Sequence, residues 1–246
     1  MQTFTGSKRF GENIMEIEEI RKRLIERGNK ERAEHGKKYL NSPYNLYGNK
    51  VPDVKAISKE LKNLDFYSAL NLFDELWNSG NHEEMWVALS LLSNYVKKNP
   101  EEVWEFTMKR IDKAKTWDLT DELSSHILSP ILAERIDLMK EIKNLSESRN
   151  PWIRRISIVS NIGLIKKNKI ELTFRLAEKL IYDEDMYVQK GAGWMLREVG
   201  KKNRLALREF ILMHLDMKPY AFSYATEKMI ELRKIRKEFI KKEKRS

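Results

Sequence analysis

The sequence predicts an all-α fold, a solenoid of stacked helical pairs, and three observations lead there. Trp117, Trp152 and Tyr187 recur every 35 residues, and the turn Lys166-Lys167-Asn168 returns 35 residues later as Lys201-Lys202-Asn203. Apolar residues fall at helical spacing, and no strand-like alternation accompanies them. A period in this range, carried by helices, marks an array in which each unit buries its apolar face against its neighbours. Such an array escapes the usual ceiling on a single core, so one continuous domain is expected over residues 14–241.

The elements follow in order. Residues 1–13 are polar with two glycines and are expected to be disordered. Ile14, Ile17, Ile20, Leu24 and Ile25 predict an amphipathic first helix, running to about Tyr39 and breaking near Gly28. Pro43, Gly48 and Pro52 then impose a loop before a helix that starts near Pro52 or Asp53. Further helices are expected at 53–62, 65–78, 82–97, 100–113, 118–128, 130–146, 151–165, 169–182, 185–200, 203–215 and 219–241. Asn99-Pro100, Ser129-Pro130 and Asn150-Pro151 each place a capping residue before a proline at the first helical position. The Lys-Lys-Asn turn, with a third copy at Lys97-Lys98-Asn99, either complements the negative end of the preceding helix or touches phosphate. From Lys228 to Arg245 the chain is dense in Lys and Arg; its inner part reads as a helix capping the last repeat. Residues 242–246 form a basic tail, either solvated or in contact with a phosphate backbone.

Composition narrows the function classes. A formal net charge of +10 favours a polyanionic partner, nucleic acid before membrane. The 41% hydrophobic content with six Trp is ample for a core, so the 34% charged fraction does not signal disorder. The absence of Cys excludes disulfides, thiolate catalysis and Cys-ligated metal centres. His35, His82, His126 and His214 are isolated, so no His-rich metal site is expected, and no cofactor. With no run of about 18 apolar residues and no signal-peptide core, a soluble, cytoplasmic protein is expected.

One constellation could carry chemistry. Trp117 to Arg155 is 38 residues and Arg155 to Trp194 is 39, one repeat plus about one helical turn, so all three can line one groove. Asp121 lies one turn beyond Trp117 on the same face. Two indoles, a guanidinium and a carboxylate suit a cationic substrate on a nucleic-acid strand. The carboxylate could stabilise positive charge developing on a sugar and position a water. Taken singly, Trp117 and Trp194 also suit packing, Asp121 a cap, and Arg155 a surface charge.

At these residues the sequence resembles the AlkD-like DNA alkylation-repair family, the HEAT-like-repeat DNA glycosylases. The resemblance rests on Trp117-Asp118-Leu119-Thr120-Asp121, Trp152-Ile153-Arg154-Arg155 and Gln189-Lys190-Gly191-Ala192-Gly193-Trp194-Met195-Leu196-Arg197. It extends to Tyr47-Gly48-Asn49-Lys50-Val51-Pro52-Asp53-Val54 and Tyr224-Ala225-Thr226-Glu227-Lys228, spanning about residues 40 to 235. It implies a right-handed α-solenoid of HEAT-like helix pairs forming a concave basic groove. It also implies a cofactor-free, monomeric, chromosome-associated hydrolase of base excision repair. The substrate would be double-stranded DNA carrying alkylated bases, from which cationic purines such as 3-methyladenine and 7-methylguanine are excised without a base-flipping pocket. On that carry-over Asp121 is the catalytic carboxylate, Trp117 and Trp194 contact the lesioned nucleotide, and Arg155 holds the backbone phosphate. Arg154, Lys190 and Arg197 become further DNA-binding candidates, with Lys190 one repeat after Arg155. Leu119-Thr120 departs from the family's Thr-Val, and Phe222-Ser223-Tyr224 lacks the basic residue relatives carry there. The competing class is a non-catalytic helical-repeat protein, either a protein scaffold or a reader of damaged or branched DNA.

Overall fold

A computed structural model describes residues 17–244, and within them the chain is all helix apart from one isolated bridge between Asn45 and Asn81. The expected disordered segment 1–13, the start of the first predicted helix and the last two residues of the basic tail lie outside the described residues. Sixteen α-helices are described: α1 (Ile17–Glu26), α2 (Lys30–Leu40), α3 (Val51–Glu60), α4 (Phe66–Trp77), α5 (His82–Ser93), α6 (Pro100–Met108), α7 (Trp117–Leu123) and α8 (Ser129–Glu134). They continue as α9 (Met139–Leu145), α10 (Pro151–Val159), α11 (Ile162–Lys166), α12 (Glu171–Leu180), α13 (Met186–Lys202), α14 (Arg204–Met213), α15 (Pro219–Ala225) and α16 (Ile230–Glu243). Among the described residues no helix is long and apolar enough to cross a membrane.

Several hydrogen bonds tie stretches of the chain about one repeat apart. Trp77 Nε1 donates to Arg110 O, Trp104 Nε1 to Glu141, Gly163 N to Ser129 Oγ and Tyr182 OH to Asp216, at separations of 33, 37, 34 and 34 residues. Between these ties runs one continuous core, with Ile57, Leu89, Leu119, Ile156 and Val188 all 0% exposed. Helix α10 packs on α7, α9, α12 and α13, and α13 in turn packs on α14 and α15.

Several expected helices are shorter or divided, each for a local reason. The predicted start at Ser129-Pro130 is not a cap: Ser129 has helical angles (φ −61°, ψ −44°), and its hydroxyl accepts the Gly163 N–H instead. Pro130 lacks an N–H, and just upstream a π-helical turn over Ser124–Leu128 carries the chain from α7 into α8 without a break. The expected 130–146 helix divides at Arg135 (φ −109°, ψ 76°). The expected 151–165 helix divides where Ser160 Oγ donates to Ile156 O and Asn161 Nδ2 to Ser157 O, side chains competing for the carbonyls of the ladder. Thr226 Oγ1 does the same to Phe222 O where 219–241 divides into α15 and α16. The break near Gly28 is present, and Asn29 caps α2 by accepting from Arg32 N. In the Lys166-Lys167-Asn168 turn, Asn168 takes a left-handed conformation (φ 60°) while Lys167 Nζ donates to Ala133 O and Glu134, so it meets the carbonyl end of the neighbouring α8 and not that of the preceding α11.

The segment 41–50 is fixed by the buried first turn of α5. Glu83 is 5% exposed, and its carboxylate accepts the backbone N–H groups of Tyr47, Gly48 and Asn49 at 3.0, 2.7 and 3.1 Å. Gly48 is required here: φ is 79°, and an added Cβ would fall 2.1 Å from Asn29 O. This clip holds the segment against the start of α2, where Asn29 N donates to Tyr47 O at 2.8 Å.

Helix α13 approaches α15 through Gly193, where an added Cβ would lie 2.4 Å from Ala221 O and 2.7 Å from Tyr224 Cβ. Replacement by alanine must push two backbones apart. Gly193→Ala is expected to cost about 1–3 kcal/mol, measured as the shift in the urea-unfolding midpoint; an unchanged midpoint would contradict the close approach.

Candidate active site

Helix α7 begins at Trp117 because Thr116 before it is extended (φ −137°, ψ 154°). Leu119, Leu123, Ile127 and Ile131 recur every four residues and are at most 2% exposed, so that stripe is core. Trp117 and Asp121 lie on the opposite face and stay half-buried. The first turn is anchored on its flank by Asp118, whose Oδ2 lies 2.9 Å from His82 Nε2, off the line of a ring N–H. Burial works to raise the Asp118 carboxyl, but the adjacent His82 and the Leu119 N–H together hold it below the ordinary carboxylate value.

Helix α10 starts as expected: Asn150 accepts from Trp152 N at 3.0 Å and Pro151 opens the first turn. That start buries Ile156 and Val159 and sends Arg155 across to α7. Arg155 Nε and Nη2 donate to the two Asp121 oxygens at 2.9 and 2.8 Å, and Nη1 donates to Tyr187 O on α13. The two side chains are 5% and 17% exposed, so this ion pair joins three helices inside the fold. Gly191 leaves the room for it, since a Cβ there would lie 3.2 Å from Arg155 Nη1. Burial pushes the Asp121 carboxyl above its ordinary value against the pull of Arg155, and the Asp118 charge adds to the rise.

Helix α13, capped by Asp185 through the N–H groups of Tyr187 and Val188, supplies the other wall. Trp194 is held by its Nε1 donating to Glu198 Oε1 at 3.2 Å. Lys190 Nζ stands 5.4 Å from the Tyr187 ring centre and 4.9 Å from that of Tyr220. Arg197 donates to Glu227. From α2, the exposed Tyr39 meets Trp117 edge to face at 5.9 Å.

Together these side chains line a cavity of about 310 Å³, in which Trp117, Asp121, Arg155, Lys190, Trp194 and Arg197 all take part. Arg154 does not: its guanidinium binds Asp183 at 2.6 and 2.9 Å and Ser148 O at 2.8 Å, away from this cavity. Sequence reasoning missed Tyr39, Met186, Tyr187 and Tyr224 as lining residues. Tyr187 and Met186 carried a signal, since they precede Trp194 by seven and eight residues on one helical face. Tyr224 and Tyr39 carried none of that kind. A larger and mostly apolar cavity, about 490 Å³, backs onto Leu40 and Asp118 and is lined by Val51, Val54 and Trp86, without the candidate residues. No group of three or more acidic or histidine side chains among the described residues could hold a metal ion.

The cavity thus gathers two indoles, whose faces attract cations, a carboxylate, and the cationic Arg155, Lys190 and Arg197, which attract anions. Removing one partner of the buried pair strands the other. Arg155→Ala is expected to lower stability by about 3–5 kcal/mol, measured by urea denaturation, whereas a loss below about 1 kcal/mol would mean that the pair does not tie the helices together.

Compared with known proteins, residues 20–229 match the family model described as DNA alkylation repair enzyme. The fold is similar to that of a protein from Enterococcus faecalis described as a predicted DNA alkylation repair enzyme. The TM-score is 0.72 at 20% identity, over 82% of this chain and 97% of that one. A second solved structure, smu.31 from Streptococcus mutans UA159, aligns at a TM-score of 0.45 and 20% identity over 80% of this chain and 90% of its own. No curated protein matches the sequence.

Proposed function

We propose, from the premise that the chain belongs to the DNA alkylation repair enzyme family, that it is a DNA glycosylase for cationic alkylated purines such as 3-methyladenine and 7-methylguanine in duplex DNA. Its helix pairs would form a right-handed, HEAT-like solenoid whose concave side holds the duplex, with the base left outside any dedicated pocket. The observation that carries this reading is the convergence of Trp117, Asp121, Arg155 and Trp194, drawn from three separate helices, on one cavity.

The chemistry follows from the charge of the substrate. A base alkylated at N3 or N7 is already cationic, so it leaves with the bonding electrons as a neutral molecule and needs no acid. Positive charge then appears on the deoxyribose, and a water oxygen bonds to C1′ and gives up a proton. The group this transition state needs is a nearby carboxylate, desolvated so that its field is strong. Asp121 supplies it, between indoles whose faces attract the cation. Both Asp121 oxygens accept from Arg155, so the step requires a backbone phosphate to draw the guanidinium over and free the carboxylate. Lys190 and Arg197 hold further phosphates.

The same bidentate pair also suits the alternative, a non-catalytic binding protein in which the pair serves only the fold. Single-turnover base release from duplex DNA carrying 7-methylguanine separates the two. Asp121→Asn is expected to slow release at least about tenfold while leaving duplex binding within a few-fold of wild type. Wild-type release no faster than spontaneous depurination would leave the binding protein.

The protonation state gives a second check. The reaction uses the ionised Asp121, and burial raises its carboxyl, so the rate is expected to fall as pH falls through a value above the ordinary aspartate range. A rate flat to below pH 4 would show that another group carries the chemistry.

A further inference from the structure

Arg21, Arg23, Arg110, Arg135, Arg154, Arg155, Arg197 and Arg204 each stand within ion-pair distance of a carboxylate. Arg27, Arg149, Arg175 and Arg208 have no such partner among the described residues, but helix α16 brings four unpaired cations onto one face. Arg233, Lys237, Lys241 and Lys244, at steps of four, four and three residues, share one of its faces, and none has an ion-pair partner among the described residues. With Pro219, Phe222 and Ser223 of α15 they line an open groove of about 560 Å³.

The fold does not use these four cations. The structural arginine of α16 is Arg236, which donates to Met217 O and lies 4.2 Å over the Phe222 ring. The helix dipole does not account for them either. It favours Lys241 and Lys244 near the C-terminus, but Arg233 sits in the first turn and a half, at the positive end. An unpaired cationic row on one rigid face calls for an anionic partner with many charges.

The position of α15 indicates which one. Its Tyr224 lines the candidate cavity, and its Phe222 and Ser223 line the α16 groove. One helix, about 10 Å across, therefore separates the two. We propose that this face of α16 binds backbone phosphates of the same duplex, flanking the lesion; the inference rests on the DNA reading above. Duplex DNA carries a charge every 1.7 Å or so, and a 14-residue helix extends about 21 Å, so each of the four cations has a phosphate to meet. Lys and Arg without Asn or Gln fix the register of the duplex and do not read its bases.

The test is the salt dependence of binding to an undamaged duplex of about 20 base pairs, followed by fluorescence anisotropy. These residues are on the surface, so the variants fold. Each lost phosphate contact should flatten the plot of log affinity against log salt by about 0.9. Lys237→Gln with Lys241→Gln is expected to flatten it by about 1.8 and weaken binding about tenfold near physiological salt. Lys242→Gln, on the opposite face, should change neither. An unchanged slope in the double variant overturns the proposal, as does loss of binding to phosphatidylserine vesicles with DNA binding intact. The two readings fail separately. Wild type that binds the duplex but releases no base sinks only the glycosylase, and wild type that releases base while the double variant keeps its slope sinks only the α16 row.

Discussion

The candidate cavity is held together by one buried ion pair. Arg155 reaches from α10 to both oxygens of Asp121 on α7 and to the Tyr187 carbonyl on α13, and so fixes the three helices that carry Trp117 and Trp194. Two charges taken out of water cost several kcal/mol each, and only a bidentate geometry with the remaining donor satisfied offsets that. The sequence around the pair meets these demands. Gly191 makes space for the guanidinium, Asn150-Pro151 sets the angle at which α10 presents it, and Leu119, Leu123 and Ile127 seat α7 from behind. A pair of this kind is poor value for stability alone, since apolar residues of similar volume often do as well. On the proposed function, a guanidinium passed from the carboxylate to a phosphate would give it another use.

Much of this was legible in the sequence, and what was not has definite causes. The 35-residue period and the helical spacing of apolar residues announced an all-helical chain, and the offset of one repeat plus one turn brought Trp117, Arg155 and Trp194 to one cavity. Helix ends were less legible, because Ser129, Ser160 and Asn161 are ambiguous in sequence. A serine before proline reads as a cap, yet Ser129 spends its hydroxyl on a helix one repeat away. Arg154 and Arg155 are the same residue type in adjacent places. Only the 100° between neighbours on a helix, and Asp183 waiting on the other side, sends one into the groove and the other out. Tyr39 reaches the site because Glu83 clips the segment after α2, a contact between distant stretches that no local pattern reveals.

The excess of positive charge is unevenly used. Arginines inside the array are spent on neighbouring carboxylates, where they hold helices in register, as Arg110 does on Asp74 at 2.6 and 2.7 Å. The net +10 therefore does not describe the molecule's surface evenly. Four of the cations left without acids share one face of α16, beside the cavity that holds Lys190 and Arg197.

The ties that span about one repeat also set how the molecule bears force. Bonds such as Trp104 to Glu141, Gly163 to Ser129 and Tyr182 to Asp216 lie one after another along the chain, so a pull on its two ends loads them in series rather than together. A series of weak links extends under small loads, each giving a little. The buried pair of Asp121 and Arg155 can therefore stay rigid within a frame whose outer ties each give a little under strain.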